Sequence, residues 1–245
     1  MRLTYTAVPQ SEDGQGVMKA PSWFTQAQVI AMKDLRIEAR TGEVTTTSGF
    51  FAMLVVVLAS LSFHGGQAGE RLVAAGTLWL TLAFAAVLSL SRTWQREREE
   101  SAFVGLLAMR LSRSALFFGK FVGMCVFLAV VEALVLPLIG LFFSINLLEK
   151  GPGMVLIAVV ATPGIAAAGT LFGSMTVRTR ARDLVLSIVL FPLLSPTLLA
   201  AVVSTRELLG GMPMSELADY LLLMGLFDFI FIAGGLSLFG LLVEQ

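Results

Sequence analysis

Charge is what this sequence has least of. Asp, Glu, Lys and Arg together make up 14% of its 245 residues, where a water-soluble domain carries about a quarter. The 17 basic and 17 acidic side chains cancel, which removes the net positive field that would draw a nucleic-acid partner. Its single Cys and single His cannot build a disulfide framework or a four-ligand structural zinc site. No G-x-x-x-x-G-K-[ST] phosphate loop occurs, so ATP is not bound and hydrolysed here by that route. No Ser/His/Asp arrangement is evident around the lone His64. Oxidoreductase, metallohydrolase and membrane-embedded hydrolase readings lose their support, and no catalytic or metal-ligating residue is assigned.

What the chain has instead is apolar length: 56% of it is hydrophobic. A helix needs about 20 apolar residues to cross roughly 30 Å of hydrocarbon. Four charge-free runs meet that length or approach it: 49–63, 72–91, 154–175 and 184–204. Two further runs, 117–145 and 220–243, are each interrupted by one acid, Glu132 and Asp228. The expected fold is therefore an all-α membrane protein with six transmembrane helices. Its hydrophilic segments are too short for a second folded domain. Residues 1–22 are polar and lack an apolar stretch after a basic start, so they read as a flexible N-terminal extension and not as a cleaved signal. Residues 23–245 form the membrane domain.

The zero net charge conceals a vertical asymmetry. Six spans divide the connecting segments into two sets, and only Arg71, Lys150 and Arg206 of the 17 basic residues fall in one of them. The other set takes the rest, in the N-terminal segment and in the segments after the second and fourth spans. Cytoplasmic loops retain Lys and Arg, so both termini are expected in the cytoplasm and the chain is expected in the bacterial inner membrane.

Two segments on the basic side are larger than a turn. In 23–40, Phe24, Ala31, Met32, Leu35 and Ala39 share one helical face, with Gln26, Lys33, Arg36 and Arg40 opposite. This is the pattern of a helix lying in the membrane interface. Val29, Ile30 and Ile37 lie towards the basic side and offer a surface to neighbouring protein; the alternative is a straight cytoplasmic extension of the first span. In 92–120, the charge run Arg96, Glu97, Arg98, Glu99, Glu100 leads into Phe103, Leu106, Leu107 and Arg110 at helical spacing. That reads as a short cytoplasmic helix suited to a soluble partner, or as a solvated turn that only enforces topology.

Inside the bilayer a charge is costly and marks a functional candidate by default, which singles out Glu132 and Asp228. They suit a proton relay, or a hydrogen bond between the third and sixth spans. Pro137, Pro163, Pro192 and Pro196 each remove a backbone hydrogen bond and can kink a span. Gly119 with Gly123, and Gly169 with Gly173, have the small-xxx-small spacing of close helix contacts, within one chain or between two copies. His64 ends the first span on the side away from the basic loops; imidazole ligates haem iron, and it equally serves as a polar helix end. Cys125 reads as a small buried hydrophobe.

Six spans, an amphipathic N-terminal helix and an enlarged charged segment after the second span resemble an ABC-2 type exporter permease. The stretch Ser91-Arg92-Thr93-Trp94-Gln95-Arg96-Glu97-Arg98-Glu99, then Leu106-Leu107 and Ser112-Arg113-Ser114-Ala115-Leu116-Phe117-Phe118-Gly119-Lys120, narrows the likeness. With Ala166 to Arg178 and Leu190-Phe191-Pro192-Leu193-Leu194-Ser195-Pro196, it resembles the B permease subunit of the haem exporter of cytochrome c maturation, the CcmB family. The likeness runs from about Met32 to the C-terminus.

The resemblance implies a non-enzymatic half-transporter, working as a homodimer with a cytoplasmic ABC ATPase (CcmA-like) that carries the ATP. Haem-handling membrane subunits (CcmC-like, CcmD-like) and a periplasmic haem chaperone (CcmE-like) would complete the assembly. No cofactor is expected on this chain itself, and haem is its expected cargo class. By similarity, 92–120 is the ATPase-coupling element and 23–40 the interface helix. Two alternatives stand beside it: a permease for another cargo, such as a lipid-linked glycan or a drug, and a proton-coupled carrier built on Glu132 and Asp228.

Overall fold

The computed structural model describes residues 22–63, 66–99, 112–175 and 182–244. Among them are seven α-helices and no strand: α1 (Trp23–Thr41), α2 (Glu43–Ser62), α3 (Gly66–Glu99), α4 (Arg113–Phe142), α5 (Leu147–Met175), α6 (Arg182–Gly210) and α7 (Ala218–Glu244), the last preceded by a 3-10 turn at Met214–Leu217. Six of them, α2 to α7, contain segments long and apolar enough to cross a membrane. The helices extend past the charge-free runs that announce them. Helix α2 opens at Glu43 because an acid in the first turn complements the helix dipole, and Arg92 of α3 faces that carboxylate at 3.2 Å. All four prolines singled out lie inside continuous helices, as does Pro152.

Helix α1 is a separate element and not an extension of the first span. The Ser22 side chain caps its start by accepting from the Thr25 amide at 3.3 Å. Gly42 ends it at φ +60°, a left-handed conformation that costs glycine little. Glu38, in the last turn of α1, accepts hydrogen bonds from the Thr45 amide and hydroxyl at 2.8 and 2.9 Å. One carboxylate thereby satisfies an otherwise orphaned donor at the start of α2 and fixes the corner between the two helices.

Helices α3 and α5 form the centre of the bundle, with 67% of their most apolar stretches buried, against 17% for α7 and 22% for α2. Lipid is as apolar as leucine, so helices in a bilayer associate through close packing and hydrogen bonds. The central pair is accordingly rich in small buried residues, among them Ala74, Ala85, Ala161 and Ala167. Gly169 of α5 admits Leu90 of α3 so closely that a methyl group there would meet it at 2.5 Å. The Trp79 indole of α3 donates to the Thr205 hydroxyl of α6 at 2.9 Å in the buried interior. Large apolar side chains on the outer helices, such as Phe50 of α2 and Leu222 and Phe229 of α7, point away from the bundle.

Candidate functional site

Two places in the bundle concentrate polar side chains that an apolar protein has reason to avoid. The first is a junction of α4, α5 and α7 at the tripeptide Thr162-Pro163-Gly164. Pro163 has no amide hydrogen, so one helical hydrogen bond of α5 is missing there. Both intramembrane acids converge on its two neighbours. Glu132 of α4 is buried and accepts a hydrogen bond from the Thr162 hydroxyl. The carboxylate of Asp228 in α7 lies against the backbone of Gly164, in space that any side chain at 164 would fill. Its Oδ1 atom is buried with no hydrogen-bond partner.

The expected bond between the third and sixth spans is therefore not the one formed. Each acid reaches the fourth span instead, and that span supplies the receiving residues. Cys125 lies half-buried on α4. Among the described residues no three His, Cys, Asp or Glu side chains converge to hold a metal.

The second place is the seat of α1 on the start of α4. The face buried there is Gln26, Ala27, Ile30 and Ala31, while Phe24 (74% exposed) and Met32 point outwards. Of the face expected to be apolar, only Ala31 is buried; Ile30, assigned to a protein contact, sits in the core. Gly119 makes the approach possible: a Cβ there would stand 2.7 Å from the Ala27 carbonyl oxygen and 2.8 Å from Ile30 Cβ. The small-xxx-small pairs thus serve contacts within this chain at Gly119 and Gly169. Polar bonds complete the seat. The Trp23 indole donates to Ser114 Oγ at 2.9 Å, and Gln26 Oε1 accepts from the Ser112 amide at 2.9 Å. Lys120, its side chain 3% exposed, meets Asp34 Oδ2 at 2.8 Å, and Lys33 meets the other oxygen at 3.4 Å.

Beside that seat a cavity of about 400 Å³ opens among α1, α2, α3 and α4, reaching Thr170 of α5. A smaller one, about 240 Å³, lies at the opposite end, bordered by Glu70, Arg71, Asn146, Glu149 and Lys150. Two of the three basic residues excluded from the basic side thus share one location.

The coupling candidates are placed only in part. The backbone of Arg96, Glu97, Arg98 and Glu99 completes α3. Their side chains, and Phe103, Leu106, Leu107 and Arg110 altogether, lie outside the described residues, as does His64.

Comparison with known proteins covers most of this architecture. Residues 25–233 match the family model described as CcmB protein. Over 203 residues the chain is 22% identical to heme exporter protein B of Bradyrhizobium diazoefficiens, spanning 83% of this chain and 90% of the relative. It is 27% identical over 180 residues to heme exporter protein B of Rhodobacter capsulatus, covering 70% and 78% of the two chains. The corresponding protein of Paracoccus denitrificans is 26% identical over 199 residues, covering 78% and 87%.

Proposed function

The chain belongs to the CcmB family, and from that membership we propose that it is the membrane permease subunit of a haem exporter serving cytochrome c maturation. The observation that carries this reading is the family match across residues 25–233, from α1 into α7, together with three relatives named heme exporter protein B. The composition agrees. The absence of a phosphate loop from the sequence fits a subunit whose ATP is hydrolysed on another polypeptide.

In this reading both termini lie in the cytoplasm of a bacterium and the chain sits in the inner membrane as one of two copies. A cytoplasmic ATPase subunit docks on the segment that follows α3, where Arg96, Glu97, Arg98 and Glu99 lead towards Phe103, Leu106, Leu107 and Arg110. Helix α1 lies at the membrane surface with Phe24 and Met32 turned to lipid. Closure of the ATPase pair pushes the segment between α3 and α4. The start of α4 carries the seat of α1, and its middle carries Glu132 on Thr162, so a displacement of α4 reaches α5 next to Pro163. The work done here is the transmission of force, with haem as cargo of the assembly and its handling subunits and chaperone as further partners.

The test is genetic and biochemical together. Deleting the gene is expected to abolish holo-cytochrome c while leaving the apoprotein intact, and the tagged chain is expected to bring an ATP-binding subunit with it from mild detergent. Unchanged holo-cytochrome c in the deletion strain overturns the cargo assignment.

A further inference from the structure

The cavity beside the seat of α1 has a mixed lining of charged, hydroxyl and hydrocarbon side chains. Lys33, Asp34 and Lys120 stand together in that lining, and Glu38, which holds Thr45, adds a second carboxylate. Two ammonium and two carboxylate groups therefore border it, and Asp34 lies within 4 Å of both lysines. The hydrocarbon wall is Leu90 from α3, flanked by Ser89 and Thr93, and Met124, Phe127 and Val130 from α4. Leu90, Met124 and Phe127 are buried and make the back wall.

Two of the wall residues say where the cavity opens. Val126 and Val130 line it and are nevertheless 40% and 47% exposed. They sit in the long apolar stretch of α4, so in a bilayer an opening at these two residues would face lipid. From Lys120 to Val130, α4 rises about 15 Å, which is half of the roughly 30 Å hydrocarbon thickness of a bilayer. The volume, about 400 Å³, falls in the range of cavities that hold small organic ligands.

We propose that this cavity is a binding site for one phospholipid, drawn from the leaflet on the α1 side, with a zwitterionic amino-alcohol head group. Its acyl chain enters past Val126 and Val130 and lies along α4 to the depth of one leaflet. Its head group meets the rim, with the phosphate towards Lys33 and Lys120 and the ammonium towards Asp34 and Glu38. A rim of both signs selects a zwitterion; a purely basic pocket would select an anionic lipid. The lipid thereby fills the space between α1 and the spans, at the place where α1 is tied to α4. The proposal stands on the cavity alone and not on the cargo assigned above.

The full-length chain is reconstituted in nanodiscs containing phosphatidylethanolamine with a diazirine on its acyl chain, and the sites labelled on illumination are mapped by mass spectrometry. Labelling is expected on Met124, Phe127 and Leu90, and an excess of unlabelled phosphatidylethanolamine is expected to displace it. Labelling of Leu222 and Phe229, on the outer face of α7, is expected to fall only in proportion to probe dilution. Val130→Trp, which narrows the opening, is expected to lower the cavity labelling at least threefold and leave α7 labelling unchanged. The proposal is overturned if the cavity residues are labelled no more selectively than α7, or if a phosphatidylglycerol probe labels them equally well. Protection of the same residues by added haem but not by phosphatidylethanolamine overturns it as well. The competition with wild-type protein decides the matter even if the tryptophan variant does not fold.

Discussion

Asp228 and Gly164 are in such close contact that the aspartate carboxylate occupies the position a β-carbon at residue 164 would take. The glycine is therefore required by its neighbour and not by its own backbone. Gly164→Ala is expected to force α5 and α7 apart and cost about 1–3 kcal/mol, the usual penalty of overpacking a tight contact. Asp228→Ala in the same chain frees that space, so the double variant is expected to recover part of the loss, a coupling that a double-mutant cycle reads directly. The measurement is the thermal midpoint of the purified chain in detergent. Equal stability of Gly164→Ala and the parent would contradict the contact.

Two residues earlier, Thr162 donates to Glu132, and the same arithmetic has a chemical version. Thr162→Val keeps the shape and removes the donor, leaving a buried carboxyl oxygen short of one bond. A loss of about 1–3 kcal/mol is expected, with Thr162→Ser largely retaining stability. If valine and serine behave alike, the hydroxyl contributes nothing. Glu132→Gln and Asp228→Asn keep the volumes and remove both acids. A subunit that transmits force is expected to support normal holo-cytochrome c levels in that double variant. Loss of maturation in a stable, correctly inserted double variant would instead return the function to a proton-coupled mechanism.

How these acids are held was only half legible in the sequence. A lone carboxyl in an apolar run is conspicuous, and Glu132 and Asp228 stand out at once. Their partners do not. A threonine, a proline and a glycine in sequence read as ordinary membrane text, and only three-dimensional packing brings Thr162 and Gly164 under acids 30 and 64 positions away. The spans themselves were legible because hydrocarbon excludes charge over a fixed thickness, although α2 and α5 begin earlier than that rule places them. Both extend to admit acids, Glu43 and Glu149, in their first turns. The outline of the α1 seat was legible, since Phe24 and Met32 stay outside the bundle and Ile30 makes a protein contact, but its full contact set was not. A moment calculated from hydrophobicity favours large apolar residues, whereas this contact is set by small ones against Gly119 and by a glutamine whose amide oxygen finds the Ser112 amide.

Gly119 supplies a further prediction. Its α-carbon lies so near α1 that an added methyl group would stand 2.7 Å from a backbone oxygen, an atom that cannot swing aside. Gly119→Ala is expected to loosen α1 from α4 at a cost of about 1–3 kcal/mol, without disturbing the centre of the bundle formed by α3 and α5. Limited proteolysis is expected to cut within 23–41 at least several times faster than in the parent, with the remaining membrane fragment intact. A uniform fall in protease resistance along the chain would place the damage elsewhere. Trp23, which donates to Ser114 on α4, offers a second readout, since its emission is expected to change when that contact opens.

The charge run that completes α3 makes the strongest functional prediction, because it separates force transmission from folding. Glu97 and Glu99 stand in the charge run that follows the apolar stretch of α3, so reversing their sign exchanges one charge for another in a segment that is already charged. At a coupling surface the same reversal changes the charges that orient the partner, and with them the register in which its stroke is received. Glu97→Lys combined with Glu99→Lys is therefore expected to leave the chain inserted and stable. The ATP-binding subunit is expected to keep hydrolysing ATP, while holo-cytochrome c falls to a small fraction of its normal level. Reduced hydrolysis in step with reduced maturation would indicate lost assembly, which co-purification detects separately. Normal maturation in the double variant would remove the segment after α3 from the coupling path and leave the seat of α1 on α4 as the remaining route by which an ATPase stroke could enter the bundle.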